Sequence, residues 1–133
     1  MDFTILNVYI PFYNMTVFWE TFYSSGSMSK INGILGGYLN LTLMMSEVWG
    51  ENSRQDTLSS FFMDFFERRK LVDVAPLKLE PTWRNISGGA QAISKILDHF
   101  LVGENLFNGN VILQSRIEAW GIFDHRPIAL TVK

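Results

Sequence analysis

Ile96-Leu97-Asp98-His99-Phe100-Leu101-Val102 is the stretch on which the fold turns: an apolar run, rich in branched and aromatic side chains, broken by one carboxylate and one imidazole. Its composition and length read as part of a strand from Ala92 to Val102, expected to be the longest of the later strands. Alternation along a strand puts Leu97 and His99 on one face and Asp98 on the other. An unpaired carboxylate is costly to bury, so Asp98 must either meet solvent or find a partner. His99 is expected at the surface or against a neighbouring loop.

Outward from this strand, the chain reads as alternating strand and helix signals. On the C-terminal side, Glu104 to Phe107 suits a short helix, and Val111 to Ala119 and Pro127 to Val132 suit strands. On the N-terminal side, Phe3 to Ile10 reads as a strand stopped by Pro11, which cannot donate to a ladder. Met15, Phe18, Trp19, Phe22 and Tyr23 recur at helical spacing before Ser24-Ser25-Gly26-Ser27. A second run, Lys30 to Gly37 with Ile31, Ile34 and Leu35, ends in the turn-prone pair Gly36-Gly37. Ser53 with Asp56 offers a helix start, and Leu58, Phe61, Phe62, Phe65 and Phe66 form one apolar stripe ending in the cationic Arg68-Arg69-Lys70. Leu71 to Val74 and Thr82 to Arg84 read as two more short strands, the latter followed by Gly88-Gly89.

No linker or repeat divides the 133 residues, which are read as one domain, 1–133. With 47% hydrophobic and 18% charged residues the chain falls outside the disordered class. A net charge of −2 gives no broad electrostatic footprint for a polyanion, so a nucleic-acid role has to rest on local chemistry. Without cysteine there is no disulfide or thiolate metal site. No basic leader and no run of about 18 apolar residues is present, so neither a signal peptide nor a membrane span is expected, and the location is read as intracellular, nucleus or cytoplasm. The glycosylation-type triplets at Asn14, Asn40 and Asn85 then have no acceptor context.

Three polar islands stand at or near strand ends: Gly36-Gly37-Tyr38-Leu39-Asn40, Leu97-Asp98-His99 and Phe123-Asp124-His125-Arg126-Pro127. Strand ends fix position while their loops stay accessible, which is where reactive groups are presented. A carboxylate bonded to one imidazole nitrogen fixes the tautomer and raises the basicity of the other, and Asp98 with His125 could form that pair. Asp124 offers the hard oxygen that Mg²⁺ prefers, and Asn40 an uncharged donor for a phosphate oxygen. Asp-His pairs also serve as turn and cap residues, and Tyr9 suits a core tyrosine as well as a phosphate contact.

These islands, in this order, resemble the endonuclease/exonuclease/phosphatase superfamily, most closely the apurinic-type endonuclease domain of plant non-LTR retrotransposons. The matching stretches are Asn7-Val8-Tyr9-Ile10-Pro11, Ile34 to Asn40, Glu47-Val48-Trp49-Gly50, Pro81-Thr82-Trp83-Arg84-Asn85, Leu97 to Val102 and Asp124-His125-Arg126-Pro127. The resemblance implies an α+β fold, a partial four-layer α/β/β/α sandwich of the DNase I-like type. It further implies Mg²⁺ as cofactor and DNA as partner. It makes Tyr9 a phosphate-contacting tyrosine, Asn40 the residue orienting phosphate and water, Asp98 the acid orienting the catalytic histidine, His125 that histidine, and Asp124 a metal-associated aspartate.

The departures from the pattern bear on activity. Tyr38 stands where the family has the aspartate that handles the attacking water, and a phenol with a reference pKa near 10 cannot accept that proton at neutral pH. Phe123 replaces a serine and Ile96 an arginine. The family's metal-binding glutamate and an asparagine fall upstream of the matched stretches, so the chain is expected to be a C-terminal part of the domain. The implied identity is a degenerate, catalytically inactive endonuclease fragment; the alternative is a non-catalytic nucleic-acid-binding or protein-interaction module. A sheet face left without its partner would favour self-association.

Overall fold

A computed structural model describes residues 3–26, 32–85 and 87–133. The first strand, β1 (Phe3–Tyr9), is followed by helix α1 (Met15–Ser24) and by β2 (Asn32–Tyr38). β1 and β2 pair in parallel, Tyr9 lying opposite Tyr38, and α1 supplies the crossover that parallel strands require. Close approach of the two strands depends on Gly37. Its φ is +134°, and a Cβ there would sit 2.2 Å from the Val8 carbonyl oxygen, so only glycine lets β1 and the site-bearing end of β2 lie side by side. Ile31 and Lys30, read as the start of this strand, lie outside the described residues, as do Ser27 and Ile86.

Beyond β2 come a 3₁₀ turn (Met45–Glu47), β3 (Val48–Trp49), α2 (Ser59–Arg68) and β4 (Leu71–Asp73). The helical stripe is where the spacing puts it, but the start is not. Asp56 accepts the Leu58 N–H at 2.9 Å through Oδ1 and the Thr42 N–H at 3.3 Å through Oδ2, so it ties down the turn before Ser59, and the N-cap position falls to Leu58, not Ser53, with no side-chain cap.

The remaining elements are β5 (Trp83–Arg84), β6 (Ser94–Lys95), β7 (Asp98–Gly103), α3 (Glu104–Phe107), β8 (Leu113–Ile117) and β9 (Ile128–Val132). The single strand expected from Ala92 to Val102 is therefore two strands in different sheets. The break falls at Ile96-Leu97, where competing partners take the backbone. The Ile96 N–H donates to Glu47, and the Leu97 carbonyl accepts from both Leu39 and Asn40. A ladder cannot run through groups already used.

Three sheets result among the described residues: a mixed four-stranded sheet ordered β1-β2-β7-β4, an antiparallel sheet β3-β6-β5, and a β8-β9 ribbon. One face of the large sheet, with Leu35 and Leu101, meets Trp19 of α1 and Phe62, Phe65 and Phe66 of α2. On the other face Ile34 and Val102 pack with Leu106 and with Leu113, Leu130 and Val132 of the ribbon. The core is thus helices, sheet and ribbon in three layers, an α+β arrangement. Among the described residues no helix is long and apolar enough to cross a membrane.

Candidate active site

Asp98 opens β7 and His125 sits in the loop before β9, 27 positions later. His125 Nδ1 is 2.9 Å from Asp98 Oδ2. A carboxylate only accepts, so Nδ1 carries the proton and donates, and Nε2 is left without a partner among the described residues. The expected pair therefore exists. Both side chains are part-buried, which keeps the pair ordered yet reachable.

A third residue, not singled out as chemical in the sequence, builds the pair. Thr82, fully buried, donates its hydroxyl to Asp98 Oδ2 at 2.7 Å and accepts the N–H groups of Leu97 and Asp98 at 3.0 and 3.2 Å. One donor and two acceptor positions exhaust a hydroxyl. The same segment grips the loop opposite. Trp83 bridges His125, the Arg84 N–H reaches the Asp124 carbonyl at 3.1 Å, and the Arg126 N–H reaches the Thr82 carbonyl at 2.7 Å. Arg126 adds a bond to Glu80 at 3.0 Å and a second to the Glu118 carbonyl, and its hydrogen bond, with that of Lys78, holds the Glu80 carboxyl below the usual range. The signal for Thr82 in the sequence was a β-branched hydroxyl in a short strand, within one of the stretches that carry the resemblance.

Tyr38 closes the site from β2. Its ring stands edge-on to the His125 ring, centroids 4.7 Å apart, and lies 5.0 Å from the ring of Tyr9. Burial raises its hydroxyl above the ordinary phenol value, and the nearby Tyr9, Asp98 and Asp124 raise it further, so the group is neutral at pH 7. Tyr9 itself is 74% exposed, which rules out a core tyrosine. Asn40 has φ 57°, a left-handed conformation that asparagine tolerates better than most residues, and its side chain lines the cleft beside Tyr38. Asp124 is exposed at the loop tip.

His99 does not lie at the surface. Alternation is as expected, with Leu97, His99 and Leu101 all buried, but that face looks into the protein. His99 Nε2 donates to the Leu41 carbonyl at 2.8 Å, and Nδ1 faces Asp73 Oδ2 at 3.4 Å. Burial alone would lower its pKa. The Asp73 charge and hydrogen bond, the Glu47 charge and the Leu41 carbonyl outweigh that and raise it to about 9. Both nitrogens face acceptors, so the ring is a buried imidazolium. Glu47 is pushed up by burial and pulled down by His99 and the Leu43 N–H.

Solved structures supply the comparison. Neither a protein-family model nor a curated protein matches this sequence. Among the structures that do match is the endonuclease domain of TRAS1, a telomere-specific non-LTR retrotransposon, with a TM-score of 0.72 at 16% identity. The fold is retrotransposon-endonuclease-like. The match takes in 94% of this chain and 54% of that one, so the chain spans about half the length of that domain.

An endonuclease-like fold brings Mg²⁺ into question, and the donors can be tested against it. Mg²⁺ wants near-octahedral oxygen ligands and keeps several waters. Among the described residues, the acidic oxygens near His125 belong to exposed Asp124 and to Asp98, whose Oδ2 already serves Thr82 and His125. That is too little for Mg²⁺. A tighter donor set, Glu47, Asp73 and His99 with ligand atoms within 4.8 Å of one another, borders a cavity of only about 10 Å³. Space for about one water and an imidazole whose Nε2 is already spent on the Leu41 carbonyl do not suit Mg²⁺ either.

Proposed function

We propose that this chain is the C-terminal part of a DNase I-like endonuclease domain of the non-LTR retrotransposon type, and that it does not cleave phosphodiesters by itself. The observation that carries the reading is the site's mixed condition. The histidine–acid pair is built and buttressed by Thr82, whereas the neighbouring position that needs a base holds a neutral phenol packed on the histidine. His125 and Asp98 keep a geometry able to stabilise charge on a phosphate, Asn40 and Tyr9 are the phosphate contacts, and Asp124 is the remnant of the metal site. Loss of a general base alone removes about 10²–10⁴ in rate, and poor metal binding compounds it.

The same reading takes the three layers as part of a four-layer sandwich. Ile5, 72% exposed on edge strand β1, supports a face meant to be covered, by the remainder of the domain or by a second copy. Gel filtration with and without a related N-terminal fragment tests this: a monomer indifferent to the fragment goes against it.

The activity test is nicking of supercoiled and abasic DNA with Mg²⁺. No cleavage above buffer level is expected, and Tyr38→Asp alone is expected to stay silent because one carboxylate does not assemble water, phosphate and metal together. Nicking by the unaltered chain that disappears in His125→Ala would overturn the proposal.

A further inference from the structure

Beside the histidine–acid pair lies a cleft of about 690 Å³ whose walls include Phe12, Tyr38, Trp83, Asn40, Arg54 and Lys95. We infer that it binds one unpaired base of a single-stranded polynucleotide, the base stacked on the aromatic rings and its phosphates held by Arg54 and Lys95, with no metal required. The inference rests on the endonuclease-type reading and names the ligand that the disabled site keeps.

Charge pairing supports it first. Arg68, Lys78, Arg116 and Arg126 pair with Asp64, Glu80, Glu118 and Glu80, while Arg69 and Arg84 lie over aromatic rings. Four cations have neither kind of partner among the described residues, Arg54, Lys70, Lys95 and Lys133, and two of them, Arg54 and Lys95, stand in the cleft. The acid between them, Asp56, is committed to the backbone of Leu58 and Thr42. A chain of net charge −2 thus keeps two cations against one acid where a phosphate would sit.

The aromatic walls point the same way. Phe12 is 79% exposed, an outlay of apolar surface that the core does not use. Every base has a π-face, so stacking on such rings is tolerant of sequence, but bases within a duplex have theirs covered. Tyr38 contributes twice. It adds a stacking edge where a carboxylate would repel phosphate, and it leaves the Asn40 amide, which has no side-chain partner among the described residues, beside the base edge.

The test is fluorescence anisotropy of the full chain with labelled 12-mers in EDTA: single-stranded DNA, single-stranded RNA and DNA duplex. Either single strand should bind at least about tenfold more tightly than the duplex. Two phosphate contacts predict a slope of log K against log salt of about −1.4, falling to about −0.7 in Lys95→Ala. Phe12→Ala, at an exposed position that should not disturb folding, should weaken binding about tenfold, and Tyr38→Phe should retain it. No binding, equal or better duplex binding, or a slope unmoved by Lys95→Ala would overturn the inference. Absent binding with absent nicking removes this inference and leaves the endonuclease-type reading intact; nicking lost in His125→Ala overturns that reading whatever the binding result.

Discussion

The described residues contain two histidine–aspartate pairs, and the two histidines sit in opposite environments. His99 meets Asp73 at 3.4 Å with its other nitrogen on a backbone carbonyl, wholly inside the protein. His125 meets Asp98 at 2.9 Å with its other nitrogen unpartnered among the described residues and its ring about a third exposed, 31%. The first has every polar atom spent on the fold. In the second, one nitrogen is left over, and a group with a spare lone pair at a cleft is what chemistry needs. The lesson is that the same two residue types make a staple or a site according to what the second ring nitrogen faces.

The largest expected effect separates the pairs by stability. His99→Ala strands Asp73 and Glu47 without their cation and should cost about 3–5 kcal/mol in urea unfolding, against about 1–2 kcal/mol for His125→Ala, which leaves Asp98 its Thr82 hydroxyl. Equal costs would break the distinction.

Titration should sharpen it. His99 holds its proton more tightly folded than unfolded, where its pKa is about 6.5, so its contribution is complete below that value and is lost as the pH rises through about 9. Glu47, raised by burial, acts in the same direction. Thermal stability is therefore predicted to fall between those values in the unaltered chain and in His125→Ala, and to fall much less in His99→Asn. A profile identical in all three would count against the staple.

A smaller effect probes the buttress of the second pair. Thr82→Val should cost about 1–3 kcal/mol, since it leaves two buried N–H groups and a carboxylate oxygen short of a partner, and it should move the His125 ring resonances while leaving those of His99 in place. The smallest is Arg84→Ala, under about 1 kcal/mol, which removes only the stacking on Trp120 at the loop's outer side.

Much of this was legible in the residues. Alternation from Leu97 to Leu101 holds, the helical stripes of α1 and α2 bury where their spacing says, and the pairing of Asp98 with His125 could be read from two polar islands in apolar surroundings. Other features depend on long-range contacts that local pattern does not carry. The strand expected from Ala92 breaks because Glu47, Leu39 and Asn40 claim its backbone. His99 is buried because the face it shares with Leu97 and Leu101 is the covered one, and alternation alone does not say which face that is. Thr82 matters through 16 residues of separation from Asp98, and Arg54 and Lys95 become informative only once the cleft that they both line is formed.

Because the chain has two histidines, one long-range ¹H–¹⁵N spectrum followed against pH reads both pairs at once. Both His99 nitrogens should carry protons from pH 6 up to about 9, while the neutral form of His125 shows a proton on Nδ1 and none on Nε2. A His99 ring that is neutral at pH 7 in the folded chain, or a neutral His125 with its proton on Nε2, would contradict the division of labour between staple and site.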